Sequence, residues 1–231
     1  MVEKKVLIFD MYETLVINTT ELWTPTFNSI VNELGLHVSG KSLWDLWKPL
    51  EVTFREERYG PDYPFKSYRQ AWTECFEKVF NDMEDVKEGA SDYAAEMCVE
   101  GWSTRDAYPE SKKVLDVLKE HGFLIVLLSN ADIDSIENLI KLHKFDFDFV
   151  ACSEKIQSYK PEETAYNYVL QNMETSQNVL ALWDIFSILK GYKTRLVLYT
   201  YDSFLFDFDE EEVSVLDKIR DVFKKYNLNI F

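Results

Sequence analysis

Val6-Leu7-Ile8-Phe9-Asp10-Met11-Tyr12-Glu13-Thr14-Leu15 is a short apolar run that ends on an acid and then turns polar. An uninterrupted apolar stretch of this length fits a strand covered on both faces of a parallel sheet. Four further runs have the same character: Phe123 to Leu128, Phe147 to Ala151, Val179 to Leu182 and Leu196 to Tyr199. Amphipathic stretches separate them. Ser111 to Glu120 puts Val114, Val117 and Leu118 on one stripe and is stopped by Gly122. Asp132 to Leu142 and Pro161 to Gln171 read the same way, the second with Pro161 in its first turn. Alternation of strands and helices predicts an open α/β sheet.

Residues 17–107 break this rhythm. They hold helical patterns without a convincing strand, and five of the chain's six tryptophans: Trp23, Trp44, Trp47, Trp72 and Trp102. Gly60-Pro61-Asp62-Tyr63-Pro64 divides the stretch as a turn. The reading is a helical insert after the first strand, with residues 1–16 and 108–231 forming the sheet domain. Aromatics at helical spacing are expected mainly as core, with pocket lining the less common use.

The whole chain carries 25 Lys+Arg against 41 Asp+Glu, a formal charge of −16. That balance argues against a nucleic-acid partner, because a phosphate backbone would be repelled. No apolar run approaches the ~20 residues of a membrane helix, and Met1 to Lys5 leads into the first strand without a secretory pattern. Cys75, Cys98 and Cys152 are odd in number and lack CxxC spacing, which fits a reducing cytoplasm and no structural metal. His37, His121 and His143 lack ligand spacing. The acidic run Asp207 to Glu212 reads as a solvated helix start.

Open α/β sheets bind ligands at the carboxyl ends of their strands. Asp10 follows the first run, Ser129 and Asn130 the second, Lys160 lies beyond the third, and Asp184 follows the fourth. A carboxylate, a hydroxyl, an ammonium and a second acid therefore arrive at one sheet edge in chain order. This set resembles the haloacid dehalogenase superfamily of hydrolases over residues 4–166, whose first motif is Asp-x-(Asp/Tyr)-x-Thr. The resemblance implies a Rossmann-like open parallel core with an inserted helical cap at 17–107. It implies Asp10 as the nucleophile of a covalent enzyme ester, Thr14 as the residue holding the turn, Ser129 and Asn130 as contacts to substrate oxygens, and Lys160 as the positive partner of Asp10.

Position 12 divides the superfamily. Its phosphatases carry a second Asp there as general acid and base; Tyr12, with a reference pKa of about 10, does not replace it at neutral pH. The Asp-x-Tyr-x-Thr form resembles the 2-haloacid dehalogenases, where halide leaves without a proton, and Tyr166 matches that subfamily's Lys-Pro-…-Tyr spacing. The implied reaction is hydrolysis of a small 2-haloacid without cofactor, by Asp10, Lys160 and Asp184, with a homodimer left open. The alternatives are a Mg²⁺-dependent phosphatase, its metal held by Asp10 and Asp184, and a catalytically impaired binding protein. Glu13 stands where the subfamily usually has Gly. Lys48 and Arg55 are the nearest candidates for the cap cation that grips the substrate carboxylate. Asp184 is as well suited to a helix N-cap as to catalysis, since Ile185 to Leu189 replaces the polar loop of the fourth motif.

Residues 167–231 are also similar to the palm region of some phage-like family A DNA polymerases. There a β-hairpin turn carries a metal-binding aspartate, matched here by Asp202. No partner acid, fingers or basic groove accompanies it, so a joined or recombined tail is the reading and polymerase activity stands last.

Overall fold

The computed structural model describes residues 5–60, 62–172, 184–185, 187–193, 195–200, 203–207 and 210–225. Among the described residues, β1 (Lys5–Phe9), β2 (Phe123–Ser129) and β3 (Phe149–Cys152) form a parallel sheet in that order. Central β2 is its longest strand, and Ile125 to Leu128 are all buried on it. The register sets Phe9 opposite Leu127 and Ser129 opposite Cys152, so β2 and β3 end level and β1 ends two residues earlier at the same edge. The link from β2 to β3 runs through α6 (Ile133–His143), the crossover that parallel pairing requires.

The link from β1 to β2 is far longer. It carries a 3-10 turn (Thr20–Trp23), α1 (Thr24–Leu34), α2 (Gly40–Glu57), α3 (Tyr68–Phe80) and α4 (Ala90–Ser103). Its two ends run side by side: Ile17 N–H donates to the Asp106 carbonyl at 2.9 Å, and Tyr108 N–H to the Leu15 carbonyl at 3.1 Å. The α1–α2 contact is close enough that a Cβ on Gly40 would lie 2.7 Å from the Asn28 backbone nitrogen, so only glycine fits. Helix α3 begins with a reciprocal capping box between Ser67 and Gln70.

Helix α5 (Ser111–Glu120) returns the chain to β2 and ends ahead of Gly122, whose φ of +83° suits glycine. Its inner stripe differs from the expected one. Ser111 and Leu115 are buried with Leu118 packed beside them, while Val114 and Val117 are exposed. The Ser111 hydroxyl donates to the Leu15 carbonyl at 2.8 Å, which fixes the rotation of the helix. Helix α7 is short (Ser153–Ile156), and α8 spans Glu163–Asn172. Pro161 therefore precedes the helix by two residues rather than opening it, and its peptide bond to Lys160 is cis.

The expected fourth strand, 179–182, lies outside the described residues, as does Trp183. The fifth run is a strand but does not join the parallel sheet. It forms β4 (Arg195–Thr200), paired antiparallel with β5 (Ser203–Asp207) in a separate two-stranded sheet. Asp202 and Tyr201, between the two strands, lie outside the described residues. The acidic run continues as a 3-10 turn (Glu210–Glu212) into α9 (Val213–Lys225), whose Val215, Ile219 and Val222 share a small core with Ile185 and Leu189. Among the described residues, no helix is long and apolar enough to cross a membrane.

Candidate active site

Asp10 follows the last residue of β1. The Met11 N–H donates to its Oδ1 at 2.8 Å, and Lys160 Nζ meets Oδ2 at 2.8 Å. The partner is set from β2: Asn130 Oδ1 accepts the Lys160 N–H at 2.7 Å, and Asn130 Nδ2 donates to the Lys160 carbonyl at 3.0 Å. An amide that clamps both backbone groups of Lys160 holds the ammonium against Asp10. Strand ends at one edge thus turn residues 10, 130 and 160 into one cluster.

The turn after Asp10 is fixed by backbone bonds. Leu15 and Val16 N–H both donate to the Met11 carbonyl, at 2.8 and 3.0 Å, and Glu13 N–H donates to the Val16 carbonyl at 2.8 Å. Glu13 takes a left-handed conformation, φ +59°, and its Oε1 accepts the Asn18 N–H at 2.5 Å. Thr14 is exposed and does not line the cavity, so the turn is carried by main chain rather than by its hydroxyl.

A cavity of about 470 Å³ opens over Asp10. The sheet side contributes Tyr12, Ser129 and Asn130; the helical side contributes Lys48, Glu51, Arg55 and all five tryptophans of the insert. The expectation that aromatics at helical spacing are mainly core holds for Trp23, Trp47, Trp72 and Trp102, which are buried in the hydrophobic core, yet all five tryptophans also line the cavity. The tryptophans come from the 3-10 turn (Trp23), α2 (Trp44 and Trp47), α3 (Trp72) and α4 (Trp102), and only tertiary packing brings these elements to one wall. Tyr12 stacks on Trp102 with ring centroids 4.1 Å apart and planes 10° from parallel. The Tyr12 hydroxyl and Ser129 Oγ are buried without a hydrogen-bond partner among the described residues. Burial, then Tyr68, pushes the Tyr12 phenol well above its ordinary value.

Lys48 and Arg55 both reach the cavity from α2, and both are tied to Glu51, at 2.7 Å from Lys48 Nζ and 2.8 Å from Arg55 Nε. Sequence reading placed the two cations only as nearby candidates and missed Glu51. The i, i+3 spacing of Lys48 and Glu51 and the i, i+4 spacing of Glu51 and Arg55 are the signal that existed, but such triplets usually lie on solvated helix faces. Tyr166, on α8, has its phenol raised by burial first and by Asp10 second, which puts it within electrostatic reach of that carboxylate. Asp184 is not brought to the cavity lining; its Oδ2 pairs with Lys225 Nζ at 2.6 Å.

Phosphatases of this type work with Mg²⁺, which takes oxygen ligands in near-ideal octahedral geometry. Here Asp10 is engaged by Lys160 and Asp184 by Lys225, and no three His, Cys, Asp or Glu side chains gather as a metal cluster among the described residues.

A family model of haloacid dehalogenase-like hydrolases matches residues 4–182. The (S)-2-haloacid dehalogenase 4A of Burkholderia cepacia is 24% identical over 86 residues, 34% of this chain and 37% of that protein. The aligned stretch thus spans little more than a third of that relative. Among solved structures, the L-2-haloacid dehalogenase of Xanthobacter autotrophicus with chloropropionic acid covalently bound superposes with a TM-score of 0.54. Its identity is 16%, with 75% of this chain and 66% of that one covered. The L-2-haloacid dehalogenase PA0810 superposes with a TM-score of 0.56 at 15% identity, covering 77% of this chain and 74% of that one. A parallel α/β sheet with a helical cap and an acid at the end of its first strand is the architecture of this class, and the chain belongs to the haloacid dehalogenase-like hydrolases. These 2-haloacid dehalogenase structures share its fold.

Proposed function

We propose that the chain hydrolyses a small 2-haloacid through a covalent ester on Asp10, with 1–16 and 108–231 as core and 17–107 as cap. The observation that carries this reading is the Asp10–Lys160 pair, 2.8 Å apart, at the mouth of a cavity whose position 12 is a tyrosine. Asp10 Oδ attacks the halogen-bearing carbon; the carbon–halogen bond breaks and halide leaves with its electron pair. Halide is a weak base, so no proton donor is needed at position 12. Water then attacks the carbonyl carbon of the Asp10 ester; the ester C–O bond breaks, the 2-hydroxy acid leaves, the carboxylate is restored and one proton passes to solvent. Lys160 offsets negative charge that builds on Asp10 in that second step.

Ser129 supports the reading because its buried hydroxyl has no hydrogen-bond partner among the described residues and it lines the same cavity as Asp10; it would donate to a substrate carboxylate oxygen. Lys48 and Arg55 would receive the same group from the cap. Tyr12, Asn130 and Tyr166 would shape the site around Asp10, and Thr14 would act through the turn that presents it. Asp184 would stand outside these steps, since it does not line the cavity and pairs with Lys225.

The test is halide release from 2-chloropropionate or bromoacetate by wild type and by Asp10→Asn. Release by wild type and its loss in the variant are expected, with the ester detected by mass spectrometry after acid quench. Equal rates for both proteins would overturn the reading. Mg²⁺-dependent turnover of a phosphate ester would move the chain to the phosphatases. A folded protein inert to both substrate types would be a binding module.

A further inference from the structure

Glu51 lies on α2 with its side chain only 6% exposed, yet it lines the cavity that opens over Asp10. Oε2 meets Lys48 Nζ at 2.7 Å and Oε1 meets Arg55 Nε at 2.8 Å, so each carboxylate oxygen holds one cation. The two cations remain partly open, at 35% and 43% side-chain exposure, and both line the same cavity. Cavity-lining side chains of the cap therefore sum to a single positive charge. Facing them, Asp10 is balanced by Lys160, and Glu13 adds one further negative charge to the lining.

We propose that Glu51 sets the charge class of the substrate. By cancelling one of the two positive charges on the cap wall, it leaves that wall, which faces Asp10 and Glu13, with a single net positive charge. Monoanionic carboxylates are accepted; dianions, such as phosphate monoesters, are disfavoured by Glu13, Asp10 and Glu51 together. Specificity of this kind is a difference of affinities built partly from repulsion. A buried carboxylate within a partly enclosed site exerts that repulsion with less screening than a surface charge. The inference rests on the reading of this cavity as the active site, but it concerns binding and needs no turnover.

The experiment is a titration at pH 8 with propionate as the monoanion and methyl phosphate as the dianion. Tryptophan fluorescence is the readout, since five tryptophans line the cavity. Wild type is expected to bind propionate more tightly than methyl phosphate. Glu51→Gln, which keeps side-chain shape and removes the charge, is expected to improve methyl phosphate binding about tenfold more than propionate binding, the factor that corresponds to about 1.4 kcal/mol. An unchanged ratio in a folded variant would overturn the proposal. If Glu51→Gln does not fold, Lys48→Met gives the second measurement. It leaves Arg55 and Glu51 neutral as a pair and is expected to weaken propionate binding by tenfold or more; wild-type affinity would overturn the proposal. Halide release is scored separately, so an inert protein that still follows this charge rule defeats the enzymatic reading and leaves the assignment of Glu51 intact.

Discussion

Asp132 Oδ1 accepts the Tyr68 N–H at 2.7 Å, joining the loop after β2 to the first turn of α3 across 64 residues. Its Oδ2 accepts the Arg69 N–H at 2.8 Å. A carboxylate on two free N–H groups at a helix start is favourable in charge and in hydrogen bonding. Its burial is not. Desolvation, the larger cause, outweighs the two N–H bonds and raises the Asp132 carboxyl from 3.8 to about 6.

A raised carboxyl in the fold means that the folded state holds its proton more tightly than the unfolded chain. This group therefore lowers stability as pH rises from about 4 to about 6 and has no further effect above that window, a change of at most about 3 kcal/mol. Other carboxylates titrate in the same range, so the comparison is with Asp132→Asn. Urea unfolding at pH 4.5 and 6.5 is expected to show a wild-type minus variant difference that shifts against the wild type at the higher pH. A constant difference would show that Asp132 does not titrate there.

Lys160 is 19% exposed and Asp10 41%, and ion pairs open to solvent contribute little to stability. Lys160→Met is therefore expected to leave the melting temperature nearly unchanged while lowering halide release by about 10²-fold or more, the usual cost of losing one aligned electrostatic partner. Lys160→Arg, which keeps the charge and loses the compact ammonium, is expected to fall between the two. Initial rates and a thermal melt on the same preparations check both statements.

Glu13 occupies a left-handed conformation, φ +59°, which costs a residue with a Cβ about 1–2 kcal/mol. Its compensation is the bond from Asn18 N–H to Oε1. Glu13→Ala keeps the strain and loses the bond; Glu13→Gly loses the bond but relieves the strain. The glycine variant is expected to be more stable than the alanine variant by about 1 kcal/mol, read from urea midpoints. Equal midpoints would mean that the turn relaxes around any residue.

Three strands were legible in the sequence because β1, β2 and β3 read as unbroken apolar runs; Ile125 to Leu128 of central β2 are fully covered, whereas Ile8 of β1 is exposed. Asp10, Ser129, Asn130 and Lys160 were legible for a related reason: parallel strands in register deliver their following residues to one edge. The same logic failed at Leu196 to Tyr199, because an apolar run does not say whether its partner is parallel or the next strand of a hairpin. On α5 it misjudged the stripe, since the Ser111 hydroxyl bond to Leu15 rotates Val114 and Val117 to the surface. The cavity wall was not legible. Glu51 looks like one member of an ordinary charged helix face, and Asp132 like a cap for its own helix, until packing brings α2 and α3 over the sheet.

Tyr12 combines a ring well placed and a hydroxyl poorly served. The ring stacks on Trp102 at 4.1 Å, while the hydroxyl oxygen is buried without a partner among the described residues. An unpaired buried hydroxyl costs about 1–3 kcal/mol, so Tyr12→Phe, which keeps the stack and deletes that group, is expected to be neutral or up to about 1 kcal/mol stabilising. Tyr12→Ala removes the stack as well and is expected to cost about 3–5 kcal/mol. A hydroxyl held unpaired in a cavity wall is available to a ligand, so the kinetic expectation for Tyr12→Phe runs the other way: KM for the haloacid rises several-fold with kcat little changed. Stability gained together with KM raised would identify the hydroxyl as a substrate contact. A loss of stability in the phenylalanine variant would show instead that the group already has a bonded partner in solution.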